Sequence, residues 1–380
     1  MDTNQALPIN VPLSLYVHLP WCVKKCPYCD FNSHTFDEIP EAQYLEQLKK
    51  DFISQKPSIQ NRPLQSIFFG GGTPSLMSGQ FYTDLIVFLK NNIEFKSDIE
   101  ITLEANPGTF EKEKFADFYR AGINRLSLGV QSFQDSFLKD LGRIHNSDDA
   151  INAIEHAKKI GFSNFNIDLM YGLPNQSIDD ALFDLKQAVQ LNSTHLSWYQ
   201  LTIEPNTEFY KTQPVLPIDD ALFDIQQQGQ AFIKESGFDQ YEISAYAKNN
   251  LVSKHNMNYW QFGDYIGIGA GAHGKVTLNK TINRTRRTRQ PSNYLNQPLQ
   301  LINEPVATDE LLFECLMNGF RLKQGISWLQ IKNNSFLNKE DVINRLQKFI
   351  DQSLVLHNNQ SIWLSEKGYL FLDGILEELV

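Results

Sequence analysis

Cysteine is scarce in this chain. Four occur in 380 residues, and Cys22, Cys26 and Cys29 stand close together near the start. Bridged folds spread their cysteines, so this distribution excludes a disulfide framework and points to a metal or cluster site in a reducing compartment. An excess of positive charge is also lacking: 34 Lys and Arg face 44 Asp and Glu, a formal charge of −10. That balance argues against a general nucleic-acid binder, which needs a basic surface. Arg284, Arg286, Arg287 and Arg289 make only a local basic cluster. Long apolar runs are missing too. No stretch approaches the roughly 18 consecutive apolar residues of a spanning helix. Residues 1–12 have neither the basic start nor the apolar centre of a secretory leader. The expectation is a soluble cytoplasmic protein.

Hydrophobic residues make up 42% of the chain, enough for a sizeable core. Six short apolar runs read as strands, at 13–20, 66–71, 100–106, 125–131, 165–171 and 196–203. Several are near-continuously apolar, as strands covered on both faces are. Apolar spacings of three and four mark helices between them, for example at 41–53, 80–91, 147–160 and 179–191. Strand–helix alternation implies a parallel sheet with right-handed crossovers. Six units fall short of the eight in a closed barrel, so an incomplete (β/α)6 barrel is expected, with functional residues at the strand C-termini.

The heptapeptide IDDALFD occurs twice, at 178–184 and 218–224. Acidic residues in a helix's first turn suit its dipole, so shared helix-start chemistry explains the echo. Residues 280–303, rich in arginine and holding Pro291 and Pro298, read as a linker or surface segment. Beyond it come helices at 310–322 and 339–351, apolar runs at 354–357 and 362–364, and a closing helix at 366–379. This order resembles a small winged-helix-like α+β domain, whose acidic last helix speaks against DNA binding. The expected division is 1–237 for the barrel, 238–303 for a motif segment and linker, and 304–380 for the C-terminal domain.

Cys22-x3-Cys26-x2-Cys29 directly follows the first strand. Thiolates select zinc or iron–sulfur clusters. A structural zinc closes its site with four ligands, and His34 is the available fourth, so zinc stays an alternative. Three thiolates on a cube instead leave one iron open. Cys315, on an apolar helix face, reads as core. CxxxCxxC with an aromatic residue, Tyr28, before the last cysteine resembles the radical-SAM superfamily, and IFFGGGTPS at 67–75 resembles its glycine motif. The resemblance implies a [4Fe-4S] cluster on Cys22, Cys26 and Cys29. It also implies S-adenosylmethionine (SAM) near Tyr16, Tyr28, Gly71, Gly72, Thr73, Glu104, Gln131, Arg143 and Asp168. Physically, Glu104 and Asp168 can accept from an ammonium or ribose hydroxyls, and Arg143 can pair with a carboxylate. One-electron cleavage of SAM to a 5′-deoxyadenosyl radical would be the cofactors' own chemistry.

Nearly the whole chain resembles the coproporphyrinogen dehydrogenase-like branch of that superfamily. Two functions stay open within it: oxygen-independent coproporphyrinogen III dehydrogenase, a radical oxidoreductase, and HemW-type haem chaperone. The dehydrogenases carry CxxxCxxCxC, whereas Phe31 stands at the last of those positions here. They also carry a longer segment before the first strand. Finally, KHNMNYW at 254–260 contains the HNxxYW motif associated with haem in the chaperones. His255 offers an imidazole for haem iron, Tyr259 and Trp260 offer flat apolar surface, and Asn256 and Asn258 offer hydrogen bonds. The motif could instead stabilise the barrel's open end. His273, in GIGAGAHG, is a weaker second ligand candidate. The resemblance implies as partners haem, apo-haem proteins such as respiratory cytochromes, and an electron donor for the cluster. It allows a homodimer and transient membrane contact through the recipients.

Overall fold

The computed structural model describes residues 11–297 and 299–379, so most of the 1–12 segment and Pro298 lie outside the described residues. Six strands run parallel in chain order: β1 (Leu13–Leu19), β2 (Leu64–Gly71), β3 (Phe95–Ala105), β4 (Arg125–Gln131), β5 (Phe165–Tyr171) and β6 (His195–Gln200). Each is followed by a helix that returns the chain over one face. Leu15, Val17, Ile67, Phe69, Leu103, Leu128 and Leu169 are fully buried against those helices. The alternate residues face the barrel interior and are largely polar: Ser14, Tyr16 and His18 on β1, Glu104 on β3, Asp168 on β5. A strand's two-residue period thus builds an apolar outside and a polar lumen from one sequence.

The helices start where local chemistry dictates. Asn146 with Asp149, and Ser177 with Asp180, form reciprocal capping boxes at Ser147–Ile160 and Ile178–Gln190. The second IDDALFD opens Asp219–Glu235 with the same acidic first turn but no side-chain cap.

The sheet extends beyond the six units. Two short antiparallel strands, β7 (Asp239–Gln240) and β8 (Ala245–Ala247), follow β6; β9 (Asp264–Ile268) lies parallel to β1 on the other side. Beyond it β10 (His273–Leu278), β11 (Thr281–Arg286) and β12 (Ile302–Pro305) continue antiparallel. The twelve-stranded sheet stays open, with β12 and β7 at its edges. The segment 280–303 is therefore not a linker. It holds β11, the helix Pro291–Asn296 and the start of β12. Its arginines do not form one patch: Arg284 pairs with Glu314, Arg286 with Glu304, and Arg287 is buried on Asp51.

The C-terminal domain packs helices Leu311–Gly319, Trp328–Ser335 and Lys339–Asp351 on a small sheet of β13 (Ile326–Ser327), β14 (Val355–His357) and β15 (Ser361–Leu364). Its core includes Cys315, Leu346, Val355 and Ile362. The closing helix expected at 366–379 is two short ones, Glu366–Leu370 and Leu372–Glu377. The Phe371 N–H donates to the Gly368 carbonyl three residues back, which tightens and ends the first. No helix among the described residues is long and apolar enough to cross a membrane.

Candidate cofactor site

At the C-terminal ends of the parallel strands lies a cavity of about 450 Å³. Cys22, Cys26, Tyr28, Cys29, Gly71, Gly72, Thr73, Glu104, Gln131, Arg143 and Asp168 all line it. Tyr16 lies behind this wall, with its hydroxyl 3.0 Å from His18 Nδ1. Residues the sequence reading did not single out, notably Asn106, Ser127, Met170 and Tyr199, complete the lining.

The cysteine loop is closed at its base by a bridge: Cys22 N–H donates to the His34 carbonyl at 2.9 Å, and His34 N–H to the Pro20 carbonyl at 2.7 Å. The Asn32 amide donates to the Ala270 and Arg289 carbonyls, tying the loop to the GIGAGAHG segment. Thr73 Oγ1 donates to Cys22 Sγ at 3.3 Å, and Arg143 Nη1 reaches Cys26 Sγ at 3.5 Å. Arg143 Nη2 donates to Asn106 Oδ1 and the Gly129 carbonyl, both at 2.7 Å. Its Nε is buried with no protein partner. Gly72 has no room for a side chain, since a Cβ there would lie 2.5 Å from the Trp21 carbonyl oxygen.

Of the four acidic residues lining the cavity, Glu104 and Asp168 come from the barrel strands. Asp168 accepts from Asn166 Nδ2 at 2.7 Å and Ser127 Oγ at 3.2 Å. Burial, aided by the nearby Asp168 charge, pushes Glu104 up to about 8 against the pull of the Gly71 N–H. The folded protein therefore holds a proton on Glu104 that the unfolded chain has shed. Cofactor-free protein should accordingly lose stability as pH rises from about 4.5 to about 8. Melting temperatures across that window should show the fall, and Glu104→Gln should flatten it. An equal slope in both proteins would refute the assignment.

The HNxxYW motif sits at the other end of the barrel. It forms the helix Lys254–Trp260, packed on β1 and β2, with the Glu100 carboxylate accepting from the Lys254 and His255 N–H groups. His255 is 1% exposed. Its Nδ1 lies 3.0 Å from Ser66 Oγ and its Nε2 2.7 Å from the Tyr259 hydroxyl, while its ring stacks on Phe68. Burial pulls its pKa down to about 3, so the ring is neutral. An axial bond to iron would require one of these hydrogen bonds to break. Asn256, Tyr259 and Trp260 are half-buried, and Arg321 covers the Trp260 ring at 4.3 Å. His273 is exposed on β10, and Cys315 is fully buried in the C-terminal core.

Residues 16–187 match the Radical SAM superfamily, and residues 306–371 match the HemN C-terminal domain. A Haemophilus influenzae protein named "Heme chaperone HemW" is 48% identical over 377 residues, covering 98% of each chain. The chain belongs to the HemW heme chaperone family. The Escherichia coli HemW is 47% identical, covering 96% of this chain and 97% of its own. A Bos taurus relative, "Radical S-adenosyl methionine domain-containing protein 1, mitochondrial", is 33% identical over 97% of this chain and 87% of its own. Among solved structures, Escherichia coli coproporphyrinogen III oxidase (HemN) superposes with a TM-score of 0.80 at 24% identity, covering 97% of this chain and 90% of that one. That likeness establishes the fold: an incomplete radical-SAM barrel with a small C-terminal domain.

Membership in the radical-SAM superfamily implies a [4Fe-4S] cluster and SAM, and the site of this HemW-family chain fits both. Three thiols from one loop line the cavity, with a guanidinium beside Cys26 to offset thiolate charge. The unpartnered Arg143 Nε leaves a buried donor for a ligand. Among the described residues, no three Cys, His, Asp or Glu side chains converge as a single-ion site requires. A cube distributes its thiolates over separate irons. His34 points elsewhere, toward Asn32 Oδ1 and the Arg289 carbonyl.

Proposed function

We propose that this chain binds haem and passes it to haem-requiring proteins, holding a [4Fe-4S] cluster on Cys22, Cys26 and Cys29 and SAM in the adjoining cavity. The observation that carries the reading over coproporphyrinogen dehydrogenation is Phe31. It stands where the dehydrogenase motif has its further cysteine, and it lies 60% exposed at the cavity mouth. The near-full-length identity to relatives named heme chaperones supports the same choice.

When bound, a reduced cluster and SAM supply one-electron cleavage of the sulfonium C–S bond. The chain's own residues bind and orient. Arg143 steadies Cys26 and offers Nε to a carboxylate. Glu104 and Asp168 accept from an ammonium or hydroxyls, and Gly71 and Gly72 let the backbone approach closely. Tyr199, donating to Gln131 Oε1 at 2.7 Å, fixes the far wall. Met170 and Leu201 lie in an apolar cluster that keeps water from that side. Respiratory cytochromes as recipients, a separate electron donor and a homodimer belong to this proposal.

The test is transfer. Haem-loaded protein, freed of excess haem, is mixed with an apo-b-type cytochrome, and the holo-cytochrome spectrum is followed. Transfer faster than from free haem–albumin supports the proposal; no haem retained after gel filtration would sink it.

A further inference from the structure

A second cavity, of about 280 Å³, flanks the cysteine loop on its outer side. It shares Lys25, Asp30, Phe31 and Ser33 with the cofactor cavity, so the two meet around the Phe31 ring. Its remaining wall includes His34 and Arg289. In a chain of charge −10, this places three basic side chains around one small hollow, with Asp30 the acid among its lining residues. No ion pair among the described residues engages Lys25 or Arg289. Lys25 Nζ donates to the Phe31 carbonyl at 3.2 Å, which ties the ammonium to the cysteine loop. The Asn32 and His34 side chains both reach the Arg289 carbonyl, fixing that backbone at the cavity wall. Around the mouth, Val23 and Ile144, each 54% exposed, extend the apolar surface of Phe31.

Apolar surface beside a cationic hollow suits a flat apolar ligand with carboxylates along one edge. A hollow of this size lies near the lower bound of small-molecule sites, so it takes the carboxylate edge and not a whole macrocycle. The motif helix offers a poorer seat, because both His255 ring nitrogens are already engaged. The cleft beside Tyr259 and Trp260 has its Arg284 committed to Glu314.

We propose that haem docks at the barrel mouth, with its ring on Phe31 and its propionates in the flanking hollow against Arg289, Lys25 and His34. The proposal rests on the haem-chaperone reading and adds the place of binding. It puts haem beside the cofactor cavity and not on the motif helix at the other end of the barrel.

The test titrates haem and haem dimethyl ester into full-length, cluster-loaded protein, following quenching of tryptophan fluorescence. Arg289→Glu and Phe31→Ala are compared with Trp260→Ala, and iron content confirms that each variant keeps its cluster. Arg289→Glu is expected to weaken haem binding about tenfold, or about 1.4 kcal/mol, and to leave the ester's affinity unchanged. Added salt should weaken haem more than ester. Haem affinity unchanged in Arg289→Glu and Phe31→Ala but lost in Trp260→Ala would overturn the proposal and seat haem on the motif helix. Failure of the unmodified protein to bind haem at all would remove the chaperone reading itself.

Discussion

Replacing Cys22, Cys26 or Cys29 with Ala should each reduce the iron of anaerobically reconstituted protein from about four atoms per chain to near none, and remove the brown charge-transfer absorption. Each thiolate would hold a different corner of the cube, so none can substitute for another. Cys315→Ala should keep its full iron content. That thiol is wholly buried in the C-terminal core, where burial pushes it up to about 12, far from the cavity. The check is iron and sulfide analysis of all four variants side by side. Iron lost in Cys315→Ala and kept in Cys29→Ala would reverse the ligand assignment.

The second large effect concerns stability. Asp264, at the start of β9, has a fully buried side chain between two cations: Arg62 Nη1 at 2.8 Å and Lys275 Nζ at 3.0 Å. It also accepts from Thr277 N and Oγ1, both at 2.8 Å. Those partners hold its carboxyl below the ordinary range despite burial. Asp264→Asn would leave Lys275 and Arg62 without a counter-charge in a site water does not reach. Breaking such a buried group costs about 3–5 kcal/mol, a large share of the roughly 5–15 kcal/mol that holds a typical domain. Burial already lowers the Lys275 pKa, so the variant's deficit should shrink at alkaline pH as that ammonium sheds its proton. Urea unfolding of the cofactor-free chain at pH 7 and pH 9 measures both effects. A loss under about 1 kcal/mol would show that the cluster of charges is not a structural anchor.

How much of this could be read from the residues depends on how local the chemistry is. The cysteine loop and the glycine turn carry their meaning in a few consecutive positions, and the structure places both on one cavity. The six parallel strands were legible as short apolar runs, but the near-continuously apolar, doubly covered strands expected are in the structure alternating ones, with apolar residues facing the crossover helices. The polar residues between them, such as Tyr16 and Glu104, line the lumen, and the sequence singled them out only through the family resemblance. Strands β10 to β12 were not legible. The β11 sequence TINRTR is polar; its two arginines pair with Glu314 and Glu304, and Arg287 just after it pairs with Asp51, partners that sequence order does not reveal. The surroundings of His255 were hidden in the same way, since Ser66 and Phe68 approach it from nearly 190 residues away. In the C-terminal domain, the helix Trp328–Ser335 did announce itself, through Ser327 and Gln330 in a capping box. The apolar pattern around that cap is weak, so the signal stands alone in the sequence.

The central claim is that a radical-SAM scaffold here handles haem and does not decarboxylate a porphyrinogen. Its most direct test gives the reconstituted, reduced protein SAM together with either coproporphyrinogen III or haem, under strict anaerobiosis. Chromatography scores the tetrapyrrole products, and gel filtration scores bound haem. The expected result is haem retained on the protein and coproporphyrinogen III recovered unchanged. Turnover of coproporphyrinogen III to protoporphyrinogen IX, with no haem retained, would contradict it.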